Sequence, residues 1–300
     1  MDTFPPPYPT PEPLALRRRH LLFDQQPRVM GIINATPDSF SDGGHHLQVD
    51  AAVAAALAMA QEGAAIIDIG GESTRPGAEA VSAEEEAERV VPIIKKLRRS
   101  SDVLISCDTM KASVARAALD AGADLINDVT GFTFDPNMAR VVADAEAGAV
   151  LMHMRGTPRD MQRQTRYDDL VGEITAILDA RVEAAVEQGV ARNRLIVDPG
   201  IGFAKDRQGN LTLIRCASAF ARSGRPVLLG PSRKRFIGEL TGVSKPQDRG
   251  WGTAGAVAAG VCFGAHMFRV HDVQAAVHVI QVCTAIRDAP TPIAALRKHT

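Results

Sequence analysis

The sequence predicts an α/β fold, a single TIM-type (β/α)8 barrel with a short extended N-terminal arm. Three observations predict it. Eight short apolar runs recur along the 300 residues, helical patterns separate them, and a glycine closes most of those patterns just before the next run. Each run is nearly continuous rather than alternating, as parallel strands covered on both faces require. An open doubly wound sheet is the alternative. It would usually carry G-x-G-x-x-G after its first strand, and that motif is absent there.

In chain order, residues 1–22 come first. They are proline-rich and lack the apolar core of a signal peptide, so they read as an extended arm outside the packed fold. Its "RRRH" reads as a solvated basic cluster, and removal of residues 1–20 is expected to leave activity intact. The barrel is expected over residues 23–290, with a C-terminal tail at 291–300. The strand candidates are "RVMGIINAT" (28–36), "AAIIDIGG" (64–71), "VLISCDT" (103–109) and "DLINDVTG" (124–131). "AVLMHM" (149–154), "LIVDPG" (195–200), "PVLLGPS" (226–232) and "HMFRVHD" (266–272) complete the set.

Between strands, "VDAAVAAALAMAQEG" sets Val53, Leu57 and Ala60 on one helical face. The helix after Ser82 opens with a capping-box spacing to Glu85 and ends in basic residues, with Pro92 as a candidate kink. Asp135 is the expected N-cap of a helix starting at Pro136. Gly63, Gly122, Gly148, Gly189, Gly224 and Gly264 are expected as left-handed C-caps. Trp251 is expected to pack between helices.

Bulk composition narrows the function. The net charge is −1, so no global field attracts nucleic acid or a membrane surface, and any anion site must be local. No apolar stretch is long enough to span a bilayer. Cys107, Cys216, Cys262 and Cys283 form no C-x-x-C pair, which points to a reduced, cytoplasmic chain without thiol-bound zinc.

The C-terminal ends of barrel strands converge on one mouth, where active sites are built. Those ends are polar in every strand candidate. They carry Asn34; Asp68, Glu72, Thr74 and Arg75; Asp108; Asn127 and Asp128; Met152, His153 and Arg155; Asp198; Ser232, Arg233 and Lys234; and Arg269 with His271. One such acid often only caps a helix. So many buried charges without a ligand would cost more than their pairing returns, so the mouth should be a polar pocket. Asp108, Asn127 and Asp198 offer acceptors to a flat heterocycle with adjacent N–H donors. Arg75, Lys234, Arg269 and His271 offer donors to an anion. Two long loops, "TPDSFSDGGHHLQVD" and "GESTRPGAEAV", are candidate lids. His45 and His46 read as surface residues of the first lid, and His153 as a satisfied core histidine.

The motifs "GIINATPDSFSDGG", "IDIGGESTRPG", "ISCDT", "GADLINDVTG", "LMHMRGTP", "DPGIGF", "SRKRFIG" and "RVHDV" occur in order over about residues 28–285. Together they resemble the dihydropteroate synthase family of folate biosynthesis. The resemblance implies a homodimeric (β/α)8 barrel acting on two small molecules. It would condense (7,8-dihydropterin-6-yl)methyl diphosphate with 4-aminobenzoate, giving 7,8-dihydropteroate and diphosphate. It further implies that Asp108, Asn127, Asp198 and Lys234 hold the pterin, with Met152 against it. Asn34 would meet a magnesium ion shared with the diphosphate. Thr74, Arg75, Arg269 and His271 would line the diphosphate, with Arg75, Lys234, Arg269 and His271 as the catalytic charges. Pro76, Phe203 and Ser232 would border the aminobenzoate, where sulfonamides compete in the family. Two departures fall on that side: Ala204 stands where glycine is usual, and Arg235 where a small residue is common. Two rivals remain, a pterin-binding methyltransferase barrel and a non-enzymatic pterin-binding module. Strand-7 "SRK" and the strand-8 arginine–histidine pair argue against both, since neither needs a diphosphate site.

Overall fold

The computed structural model describes residues 10–23, 26–35, 45–73, 80–157, 160–222 and 224–289. Two short strands, β1 (Leu14–Ala15) and β2 (His20–Leu21), form an antiparallel hairpin. Eight parallel strands follow: β3 (Arg28–Asn34), β4 (Ile66–Gly70), β5 (Leu104–Asp108), β6 (Leu125–Asp128), β7 (Gly148–Met152), β8 (Leu195–Asp198), β9 (Leu228–Leu229) and β10 (Met267–Val270). Consecutive strands pair from β3 to β8, and β10 pairs with both β9 and β3. A parallel bridge from Val197 to Val227 joins the remaining gap, so the sheet is a nearly closed barrel.

The outer layer comprises α1 (His45–Gln61), α2 (Ala83–Ser100), α3 (Ala112–Ala121), α4 (Met138–Asp144) and α5 (Leu170–Glu187). It continues with α6 (Arg207–Arg215), α7 (Arg235–Thr241), α8 (Gly250–Cys262) and α9 (Val273–Arg287). Ser82 caps α2 by accepting from the Glu85 amide, and the helix runs on through Pro92. Helix α1 starts at His45, so the first loop is shorter than its sequence suggests and His45 and His46 belong to a helix.

Strand side chains alternate between two environments. Ile67, Ile69, Ile105, Ile126 and Leu151 pack outward into the large cluster shared with the helices. Met30, Ile66, Leu104, Leu125, Val150, Ile196, Leu228 and Met267, one from each barrel strand, form a separate inner cluster at the strand beginnings. Leu14, Leu16, Leu21 and Phe23 belong to that same inner cluster.

This corrects the reading of the N-terminal segment. Its residues from Leu14 onward do not form a loose extended arm; the hairpin plugs the bottom of the barrel. Nor is "RRRH" merely solvated. Arg17 donates to the carbonyls of Leu119 (2.7 Å) and Ala123 (3.1 Å), and Arg18 lies 3.5 Å from the buried Asp124 carboxylate. Gly148 is no C-cap either. It opens β7, and a Cβ there would lie 2.4 Å from Leu16 Cδ2. Its lack of a side chain makes room for the plug. The left-handed position before β7 falls to Glu146 instead, at φ 49°.

Two further expectations fail locally. Asp135 does not cap its own helix, whose N-cap is Asn137. Its carboxylate accepts from the Asn137 amide at 3.0 Å and from the Ala112 amide at 2.9 Å, tying that turn to the start of α3. Trp251 does not pack between helices: it is 92% exposed on α8.

Candidate active site

Two residues along each strand from the apolar inner layer, the period of a strand brings up Ile32, Asp68, Ser106, Asn127, Met152, Asp198, Gly230 and Arg269. The second interior layer is therefore mostly polar. This is why a buried strand carries Asp68, which is wholly enclosed. Asp68 Oδ2 accepts from Asn127 Nδ2 at 3.1 Å and from Arg269 Nε at 2.6 Å. Arg269 Nη2 also donates to Asp108 Oδ2 at 2.7 Å. These residues sit on β4, β5, β6 and β10, and β10 and β6 are not neighbours of β4. Their side chains meet only by pointing into the barrel.

Charges of opposite sign are thus interleaved rather than sorted into an acidic and a basic flank. One guanidinium serves two carboxylates. Burial raises the Asp108 carboxyl, Arg269 opposes that rise, and Asp68 adds to it. Asp68 Oδ1 has no hydrogen-bond partner among the described residues.

Asp198 ends β8. Its Oδ1 accepts from the Gly200 amide at 2.7 Å, and burial pushes its carboxyl up to about 6. The amide together with Lys205, Lys234 and Arg269 resists that push. Lys234 Nζ lies 4.0 Å from the centre of the Phe203 ring, a cation–π contact at the mouth. Met152 and Phe203 join Val129, Met154, Met161 and Ala204 in a small apolar cluster beside these charges. An apolar wall next to hydrogen-bonding groups suits a flat polar ring.

After the adjacent strands β9 and β10, Ser232 Oγ lies 2.9 Å from His271 Nδ1 and accepts from the His271 amide at 3.2 Å. Ser232 therefore holds His271 in addition to any substrate contact.

Asn34 ends β3, half-buried, beside Gly70 in register. Thr74, Arg75 and Pro76 lie outside the described residues. The base of their loop is well tied. Lys111 bonds both Glu72 and the buried Glu86, and Arg89 donates to the Gly71 carbonyl at 2.7 Å. Asp128, at a polar strand end, is a turn-former: it accepts from Thr130 N, Thr130 Oγ1 and Phe132 N.

Ala204 adopts φ 51°, the left-handed region where a side chain costs about 1 kcal/mol. This explains why glycine is usual there, and Tyr167 Oη braces the residue by donating to its carbonyl at 3.0 Å. Arg235 is largely exposed and pairs with Glu239 at 2.7 Å along α7.

Sequence reasoning missed Lys205, which is buried behind Asp198. Lysine is normally solvent-facing, so its type gives no signal; only its place in the turn after Asp198 could have raised the question. His153 is buried as expected but only half satisfied: Lys205 Nζ lies 2.8 Å from Nδ1, while Nε2 has no hydrogen-bond partner among the described residues.

The family model for pterin binding enzymes matches residues 30–271. A dihydropteroate synthase of Synechocystis is 48% identical over 287 residues, covering 95% of this chain and 96% of its own. A structure of Xanthomonas albilineans dihydropteroate synthase with 4-aminobenzoic acid superposes with TM-score 0.87 at 46% identity, covering 94% of this chain and all of that one. Another from that organism, in complex with 7,8-dihydropteroate, gives TM-score 0.84 at 43% identity, covering 93% of this chain and all of that one. With the barrel, the polar mouth and matches of this extent, the chain belongs to the dihydropteroate synthases of the pterin-binding enzyme family.

Proposed function

We propose that the polar interior layer is the binding slot for a pterin diphosphate and that the mouth above it joins this substrate to 4-aminobenzoate. The methylene C–O bond of (7,8-dihydropterin-6-yl)methyl diphosphate breaks, and its electron pair leaves on diphosphate. The amine nitrogen bonds to the methylene carbon and loses a proton, giving 7,8-dihydropteroate. The observation that carries this is Asp198: a buried carboxylate at a strand end, raised to about 6, beside the apolar cluster of Met152 and Phe203. An ionised Asp198 accepts two parallel N–H bonds from the ring, and Asp108 and Asn127 meet its other edge.

Lys234, Arg269 and His271 supply positive charge or donors towards the departing diphosphate. Arg269 does so only by loosening its hold on Asp68 or Asp108, so substrate binding rearranges the network. Thr74, Arg75 and Pro76 complete the assignment from their motif. Ser232 and Phe203 border the aminobenzoate side, where the apolar cluster favours an aromatic ring.

Magnesium fits modestly. Asn34 offers one hard amide oxygen, and no cluster of three or more histidine, cysteine or acidic side chains among the described residues forms a protein-only metal cage. Magnesium tolerates this because it keeps several waters and takes its remaining ligands from phosphate oxygens. When bound, the ion would neutralise charge growing on the diphosphate.

A homodimer is supported by an apolar groove of Leu211, Ile214, Phe236, Leu240, Ala256 and Phe263 on α6, α7 and α8, flanked by the exposed Trp251. All four cysteines are free, which supports a cytoplasmic setting. No helix among the described residues is long and apolar enough to cross a membrane.

The test is diphosphate release by the purified protein with magnesium and pterin diphosphate. Release that requires 4-aminobenzoate is expected. Tight pterin binding without release would favour a binding module instead.

A further inference from the structure

Lys205 is 3% exposed, and no carboxylate lies within ion-pair distance of it among the described residues. Its Nζ lies 2.7 Å from the Pro199 carbonyl oxygen, 3.2 Å from the His153 carbonyl oxygen and 2.8 Å from His153 Nδ1. Two backbone carbonyls accept from Nζ, and His153 Nδ1 is a third acceptor in the tautomer that carries the ring proton on Nε2. Of the three, two belong to the end of the β7 segment and one to the turn after β8. Gly200 permits this close approach: at φ 78°, a Cβ there would lie 2.0 Å from the His153 carbonyl oxygen and 3.1 Å from Lys205 Nζ.

Burying an ammonium without a contacting carboxylate is costly. Burial lowers the Lys205 pKa well below the usual lysine range, and the largest opposing influence is Asp198. Arg155, Arg181 and Lys234 act against its charge as well, and burial holds its partner His153 neutral, at about 2. The attraction is mutual, because Lys205 precedes Lys234 and Arg269 among the charges that oppose the rise of Asp198. Those other two are committed elsewhere, Lys234 over Phe203 and Arg269 to Asp68 and Asp108.

We propose that Lys205 is a positioning residue for the pterin slot: its Nζ ties the end of β7 to the turn after β8, and its positive charge favours the ionised form of Asp198 for a ring with two parallel N–H donors. The proposal rests on Asp198 holding the pterin, as assigned above. Lys205 itself touches no substrate. It acts on the carboxylate from behind, where no ligand displaces it.

The experiment measures the affinity of the full chain for 6-hydroxymethylpterin by fluorescence, from roughly one unit below to one above pH 6. Lys205→Gln keeps amide donors for the carbonyls and removes the charge, Lys205→Met removes both, and Lys205→Arg restores the charge. Wild-type binding should weaken below a midpoint near 6. In Lys205→Gln the midpoint should rise by about one unit, so binding below it is about tenfold weaker and converges with wild type as pH rises. Lys205→Arg should return the midpoint towards wild type. A uniform loss at every pH, with the midpoint unmoved, would show a merely structural lysine and overturn the proposal. Asp198→Asn separates the two levels: if that variant binds pterin normally, the slot assignment fails whatever Lys205 does. Should the neutral Lys205 variants not fold, Lys234→Met decides. An unmoved midpoint there leaves Lys205 as the counter-charge; a shift of a full unit transfers the role to Lys234 and sinks the inference.

Discussion

Asp198 is 5% exposed, and its carboxyl titrates near 6 in the folded chain against about 3.9 in an unfolded one. Between those values the folded form binds more protons. The group's contribution to stability is therefore complete below about pH 4 and is lost as pH rises through about 6. Asp198→Asn removes that loss and keeps an acceptor for the Gly200 amide. At pH 7 the unliganded variant should be more stable by roughly 1–3 kcal/mol, after Lys205 loses its counter-charge, and no more stable at pH 4. It should also fail to bind the pterin ring. Urea unfolding at the two pH values, with a pterin titration, checks both halves; a variant less stable at pH 7 would show that Lys205 outweighs burial. The type and strand-end place of Asp198 marked it in the sequence. Its raised pKa was not legible, because burial and Lys205 come from elsewhere in the fold.

At the scale of elements, the hairpin β1–β2 changes the meaning of the N-terminus. Proline richness made residues 1–22 look dispensable. The four side chains Leu14, Leu16, Leu21 and Phe23 instead close the barrel's inner apolar layer. Each buried side chain of this size is worth about 1.5–3 kcal/mol as an upper estimate. Removing residues 1–20, or introducing Leu16→Asp, should cost on the order of 3–5 kcal/mol. The loss should appear as a lower thermal midpoint and poor soluble yield, with activity falling only as folded protein is lost. A truncation that melts like the full chain would refute the plug. The signal was present in "LALRRRHLLF", a short apolar–basic–apolar hairpin pattern, but its partner surface is assembled from eight separate strands.

Over the whole molecule, a near-neutral chain keeps a small set of its charges inside the barrel. Apolar residues fill the bottom of the barrel, and Asp68, Asp108, Asn127, Asp198 and Arg269 occupy the layers above. Among the described residues several large apolar side chains are exposed, and two of them, Leu240 at 52% and Trp251 at 92%, lie beside the apolar groove of α7 and α8. Large exposed apolar side chains rimming a groove mark association surfaces. On the homodimer proposed above, Trp251→Glu should shift the protein towards monomer, read by sedimentation velocity over a range of concentrations. Unchanged sedimentation would place the interface elsewhere.

The sequence by itself determined the eight-strand order, the polar strand ends and the family, because continuous apolar runs, capping glycines and strand-end motifs are local in the chain. Only the tertiary structure decided that Asp68, Asp108 and Arg269 form one network, that Lys205 stands behind Asp198, and that the hairpin plugs the floor. The physical reason is the barrel's closure. It brings side chains separated by as many as 201 positions into one water-poor interior, where burial and neighbouring charge set what each group does.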